Sequence, residues 1–171
     1  MSYITEAINK WGKCRTGAIT MYGAGVGVYG NSGYAYTGST PSKLKKRIEE
    51  ANSSNAEITD INITENGNYV IILGGSGYWT LGYPDAFLKK LEQYRTGDLR
   101  DDNILSACFN DRGEWVVITD KHYSYSNETI KNFILKAEEL YEEVYYAHIT
   151  NYGMIACCKN GVYYKNIPSN L

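Results

Sequence analysis

The sequence predicts a mixed β/α repeat protein. Four three-stranded antiparallel meanders, each with a helix, are expected to form a closed four-bladed propeller-like ring. Three observations predict this. A turn glycine recurs at Gly23, Gly67, Gly113 and Gly153, spaced 44, 46 and 40 residues apart, which is the length of one supersecondary repeat. Behind each glycine lies a short apolar stretch, then a second turn and a tyrosine-bearing stretch. Position, residue class and turn chemistry recur together, so chance is a poor explanation.

The first unit, about residues 13–52, runs through Gly17-Ala18-Ile19, Val26-Gly27-Val28 and Gly33-Tyr34-Ala35-Tyr36. Pro41 then opens a helix whose Leu44 and Ile48 form an apolar stripe. The second unit, 57–95, has alternating Ile61 and Ile63, then the turn Glu65-Asn66-Gly67-Asn68. Asn-Gly favours a type I′ hairpin because that turn needs positive φ twice. Tyr69-Val70-Ile71-Ile72 is apolar throughout, as in a strand covered on both faces. Gly77-Tyr78-Trp79 follows, then Pro84 and a helix with Phe87, Leu88 and Leu91 facing inward.

The third unit, 102–142, repeats the order with Ala107-Cys108-Phe109, Trp115–Ile118 and Tyr123-Ser124-Tyr125. Its helix is predicted over Glu128–Glu142, capped by Ser126 or Asn127, with Ile130, Phe133, Ile134, Ala137 and Tyr141 inward. The fourth unit, 143–171, has Ala147-His148-Ile149, Ile155–Cys158 and Gly161–Tyr164 but no helical run behind them. A helix at 3–12, with Ile4, Ala7, Ile8 and Trp11 on one face and Gly12 as its stop, is expected to complete this last unit. The whole chain, 1–171, thus reads as one repeat domain. Meanders this small cannot bury both faces alone and must stack on neighbours. The alternative to a ring is a curled antiparallel sheet with helices on one face.

Composition excludes several classes. Seventeen basic against nineteen acidic residues give a net charge of −2, without the clustered positive charge that phosphate neutralisation requires, so no nucleic-acid partner is expected. The longest apolar stretches are about five residues, far below the ~20 of a membrane helix. No basic, then apolar, leader opens the chain, so a cytoplasmic location is expected. Cys14, Cys108, Cys157 and Cys158 form no CxxC pair and stand with only two histidines. Free thiols are expected, with no structural metal and no cofactor. The sequon-like Asn52, Asn62 and Asn127 then carry no meaning.

The candidate site follows from the repeat. Ala18, Asn62, Cys108 and His148 hold equivalent positions, five residues before the turn glycines. Thr20, Thr64, Asn110 and Thr150 lie two residues on, on the same strand face. Polar side chains within apolar strands are costly unless solvated or paired, so Asn62, Cys108, His148, Thr64, Asn110 and Thr150 are expected to border a pocket and bind any ligand. Cys108 with His148 could form a nucleophile and base, but the chain supplies no orienting carboxylate motif and no catalytic residue is assigned. Gly23-Ala24-Gly25-Val26-Gly27 resembles a phosphate loop yet leads into a strand.

The first-strand stretches Thr16-Gly17-Ala18-Ile19, Asp60-Ile61-Asn62-Ile63, Ser106-Ala107-Cys108-Phe109 and Tyr146-Ala147-His148-Ile149, with the later echo Gly77-Tyr78-Trp79 and Tyr83-Pro84, resemble hemopexin-like four-bladed β-propellers. The blades of that family begin with an acidic-small-x-aromatic strand. Only Asp60 keeps the acidic position here. The resemblance implies a ring whose first-strand carbonyls, here Gly17, Ile61, Ala107 and Ala147, line an axis that can hold an ion. It also implies a ring-closing disulfide; Cys14 is near the expected place, whereas Cys157 and Cys158 lie one strand early. The repeat is similar, too, to glycine/aromatic repeat arrays of bacterial proteins, which carry no function to transfer.

The favoured function is a non-enzymatic binding module recognising a protein partner, on the strength of its repeat architecture and tyrosine-rich strands. The alternative is capture of a small ligand or nucleotide in an axial or inter-unit polar pocket. A Cys-dependent enzyme is the third class. The basic Lys43, Lys45, Lys46 and Arg47 and the acidic Glu138, Glu139, Glu142 and Glu143 are opposite in sign, which permits self-association.

Overall fold

A computed structural model describes residues 14–167; the expected helix at 3–12 lies outside them. Four three-stranded antiparallel sheets follow one another along the chain, each in simple meander order. Sheet one is β1 (Thr16–Ile19), β2 (Gly25–Tyr29) and β3 (Gly33–Tyr36); sheet two is β4 (Ile58–Ile63), β5 (Tyr69–Leu73) and β6 (Gly77–Leu81). Sheet three is β7 (Ile104–Phe109), β8 (Trp115–Thr119) and β9 (Tyr123–Tyr125); sheet four is β10 (Val144–Ile149), β11 (Met154–Cys158) and β12 (Gly161–Lys165). Helices α1 (Ser42–Ser54), α2 (Asp85–Arg95) and α3 (Glu128–Tyr141) follow the first three sheets. Among the described residues no helix follows the fourth sheet, as the sequence pattern predicts.

In the first three meanders the glycine of the first turn takes positive φ, but Asn66 does not, so the Asn66-Gly67 turn is not the expected type I′, and Gly153 of the fourth turn keeps out of the left-handed region. Gly23, Gly67 and Gly113 adopt φ of 94°, 82° and 79°, values a side chain would strain. Strand registers are equivalent from unit to unit: Ala18 faces Val26, Asn62 faces Val70, Cys108 faces Val116 and His148 faces Ile155. In units two to four the register shifts by one residue near the start of the first strand, at Thr59, Leu105 and Tyr145. A bulge there bends the strand and increases its twist.

The helices start one residue later than first-turn prolines would place them, because Pro41 and Pro84 occupy the cap positions themselves. Asn127 caps α3 by accepting from the backbone N–H of Ile130 at 3.0 Å. Tyr94, which the sequence pattern did not single out, is fully buried beside Phe87 and Leu91, and its hydroxyl is paired with Ser124 at 2.7 Å.

The sheets pack face against face in sequence order, and each packing layer includes the helix of the earlier unit. Val26, Val28, Leu44 and Ile48 meet Ile61, Ile63, Tyr69 and Ile71 between sheets one and two. Val70, Ile72, Phe87 and Leu91 meet Ala107, Phe109, Trp115 and Val117 between sheets two and three. Val116, Ile118, Ile130 and Phe133 meet Ala147, Ile149 and Ala156 between sheets three and four. The first strands β1, β4, β7 and β10 lie side by side in that order.

Candidate functional site: the meeting point of the first strands

Asp60 ties all four units together. Its carboxylate is completely buried. Thr16 Oγ1 of unit one donates to Oδ1 at 3.0 Å, and the Ala107 N–H of unit three donates to Oδ2 at 3.0 Å. His148 Nε2 of unit four lies 3.2 and 3.1 Å from the two oxygens. Ser106 Oγ lies 3.0 Å from both Asp60 Oδ2 and the Ala147 carbonyl, so its one proton serves either acceptor, while the Ala147 N–H donates to Oγ at 3.2 Å. A buried carboxylate needs such donors, since its desolvation otherwise costs several kcal/mol by order of magnitude. Because the carboxylate only accepts, Nε2 carries a hydrogen. Nδ1 then accepts from the Tyr146 hydroxyl at 2.7 Å in neutral imidazole, or donates to it in imidazolium.

Of this centre the sequence reading chose His148 as a site residue but not its partners. Thr16, Asp60, Ser106 and Tyr146 lie two residues before the quartet it chose, and all four are polar. Asp60 is the sole acidic residue among these equivalent positions, and that was the signal.

The six expected site residues divide between three places. Asn62, His148 and Thr150 line one cleft, about 640 Å³ in volume, between β1 and the β10–β11 pair, together with Cys14, Thr16 and Cys157. Thr64, Asn110 and again Thr150 line a small cavity of about 10 Å³ at the turn end of the first strands, with room for roughly one water. Ile19, Ile63, Phe109 and Ile149, one from each unit, complete its wall. Cys108 lies in neither cavity. It packs in the core between sheets three and four, its thiol 3.2 Å from the Ile149 carbonyl.

Burial pushes the Cys108 thiol well above its ordinary range, more than its hydrogen bond to the Ile149 backbone lowers it. A nucleophilic thiolate is disfavoured in such surroundings. The imidazole of His148 is committed on both nitrogens, to Asp60 and Tyr146. No group of three or more His, Cys, Asp or Glu side chains able to hold a metal occurs among the described residues. No helix among them is long and apolar enough to cross a membrane.

A lateral stitch repeats at the turn end. The Met21 N–H donates to the Glu65 carboxylate at 2.9 Å, the Asn66 N–H to Asp111 Oδ2 at 3.0 Å, and the Asp111 N–H to Asn151 Oδ1 at 3.0 Å. The first three turns are thereby each held by a side chain of the next unit. Around this end Ile19, Met21, Tyr22 and Tyr152 are 39, 38, 44 and 49% exposed. A shallow pocket of about 210 Å³ beside Tyr152 is walled by Arg112, Glu114 and Lys165 among others.

No protein-family model matches the chain, and no curated protein matches it.

Proposed function

We propose that the protein is a non-enzymatic module that binds a protein partner on the turn end of its four first strands, and that the four units close into a four-bladed ring. The exposed apolar side chains of Ile19, Met21, Tyr22 and Tyr152 at this end carry this reading. Large apolar side chains gathered on a rigid rim, next to a shallow socket, are the means by which one protein holds another. The stitches among Met21, Glu65, Asp111 and Asn151 pre-organise that rim, which reduces the ordering cost of association.

Support for closure comes from Asp60, which stands at the acidic position of the hemopexin-like pattern and touches side chains or backbone of the other three units. Support for a binding rather than a catalytic role comes from the sealed Cys108 thiol and the doubly committed His148. The four cysteines stand as free thiols, in keeping with a cytoplasmic setting.

The test compares capture of lysate proteins by the native chain and by Met21→Asp with Tyr152→Asp. The reading predicts that a protein retained by the native chain is lost from the double variant while its melting temperature stays the same. Equal retention by both would exclude this face as the docking surface.

A further inference from the structure

The residue before the first-turn glycine differs in character from unit to unit: Tyr22, Asn66, Arg112 and Tyr152. In the first three units it stands beside the turn of the next unit. Tyr22 closes its boundary, because a side chain on Gly67 would meet the Tyr22 hydroxyl at 3.6 Å and Pro41 at 3.5 Å. Arg112 is satisfied by the chain itself, through the Asn151 carbonyl and the Glu114 carboxylate, the latter at 3.4 Å. The shorter Asn66 does neither. At Gly113, the counterpart of Gly67, a side chain would meet nothing within 4 Å. A shallow notch of about 270 Å³ opens there between units two and three.

Polar groups gather in the wall of this notch. Asp111 Oδ2 accepts from the Asn66 N–H at 3.0 Å and from Asn151 Nδ2 at 3.2 Å, but among the described residues nothing donates to Oδ1. No hydrogen bond from a described residue engages the side-chain amides of Asn66 and Asn68 or the Tyr83 hydroxyl, all in the same wall. The Asn68 amide lies against Gly82, where φ is 69° and a Cβ would collide with it. Tyr83 is 39% exposed. The two turns that frame the notch are closed by backbone bonds, Thr64 N–H to Asn68 at 2.8 Å and Asn110 N–H to Glu114 at 3.0 Å. The wall is therefore built before any ligand arrives, which lowers the ordering cost of binding.

We propose that this notch binds a neutral pyranose sugar. The proposal does not rest on the protein-docking reading, since none of Ile19, Met21, Tyr22 and Tyr152 lines the notch. Among the described residues the lining has one carboxylate and no cationic side chain, which disfavours phosphate, sulfate and carboxylate ligands. A carboxylate oxygen accepts from a hydroxyl, and a side-chain amide both donates and accepts. Asp111, Asn66 and Asn68 thus match a run of sugar hydroxyls, each of which also does both. The exposed ring of Tyr83 offers apolar surface to the C–H groups of the sugar. An apolar ligand would instead leave these polar groups desolvated and unpaired.

The test titrates the isotope-labelled full chain with the methyl glycosides of glucose, galactose, mannose and N-acetylglucosamine. The amide signals of Asn66, Asn68, Gly82 and Gly113 are followed, side-chain amides included. The proposal predicts saturable shifts centred on these signals for at least one sugar, with a Kd of about 1 mM. Tyr83→Ala and Asn66→Ala, both at exposed positions, should each weaken that binding about tenfold at an unchanged melting temperature. Absence of shifts in the native chain at about 50 mM of every sugar overturns the proposal, whether or not the variants fold. Binding that both variants retain in full overturns it as well. Tighter binding of Nα-acetyl-lysine methylamide at the same signals also overturns it, by giving Asp111 and Tyr83 to a cation.

Discussion

The boundary between units two and three and the boundary between units four and one use equivalent strand positions to opposite effect. In the first, Val70, Ile72, Phe87, Leu91 and Tyr94 close on Ala107, Phe109, Trp115 and Val117, and nearly every one of these side chains is fully buried. In the second, a cleft of about 640 Å³ lies between β1 and the β10–β11 pair, with Gly17, Ile155 and Cys157 among its walls. The frame is closely similar in both places: each sheet is a three-stranded meander, although the first turn of unit four, closed from Thr150 to Gly153, is one residue shorter than that of unit two, closed from Thr64 to Asn68. The contrast teaches that the repeat specifies the frame, while the side chains on the two facing surfaces decide whether a boundary seals itself or waits for another element.

The largest effect is expected at the point common to all boundaries. Asp60→Ala leaves Thr16, Ser106, His148 and the Ala107 N–H without their shared acceptor. Breaking a buried charged network of this kind costs about 3–5 kcal/mol, and urea titration should show it as a midpoint shift. If Asp60→Ala unfolds at the native urea concentration, the carboxylate does not hold the four units.

A pair of truncations sharpens the comparison. Phe87→Ala should cost about 3–5 kcal/mol, as for a fully buried aromatic ring, given its contacts with Phe109 and Trp115 at ring-centroid distances of 5.2 and 6.2 Å. Val162→Ala, on the exposed face of sheet four, should fall within about 0.5 kcal/mol of the native chain. Equal losses in the two variants would erase the distinction between boundaries.

Much of this frame was legible in the sequence. The turn glycines and Asn127 act through local backbone geometry, so their chemistry can be read residue by residue. The strand order followed because the repeat makes each meander predict the others. The site was legible only in part, because equivalence of position does not decide the direction in which a buried group finds its partner. Cys108 shares its register with Asn62 and His148, yet its thiol reaches the backbone of unit four, whereas Asn62 donates to the Phe109 carbonyl at 3.1 Å. Asp60 stood out only through the resemblance, as the one retained acidic position, because its partners on three other strands are not visible until those strands are laid beside it.

Acid pH should strain a local tie outside the boundaries. Burial works against ionisation of Asp102, but hydrogen bonds from His122 and Thr119 outweigh it and hold the carboxyl below its ordinary value of 3.8. A carboxyl with a lowered folded pKa contributes stability that is present above the ordinary value and lost as pH falls through the folded one. The native chain should therefore lose part of its stability below about pH 4, and Asp102→Asn should lose less across that interval. Parallel melting curves for the two chains from pH 6 to pH 3 would contradict this assignment.

The smallest effects are expected at the turn stitches. Glu65→Ala and Asp111→Ala each remove a solvent-exposed hydrogen bond to the neighbouring turn, and each should cost about 0.5–1 kcal/mol in thermal melts. Losses several times larger would mean that the turn end, rather than Asp60, holds the units together.

Amide hydrogen exchange followed strand by strand tests most directly whether the sealed boundaries and the fourth one differ as described. The slowest amides should lie in β4, β5, β7 and β8, exchanging only through global unfolding. Those of β12 should exchange faster, through local opening of the fourth sheet. Equal protection of β12 and β8 would contradict the account, since it would place the fourth boundary on the same footing as the other three.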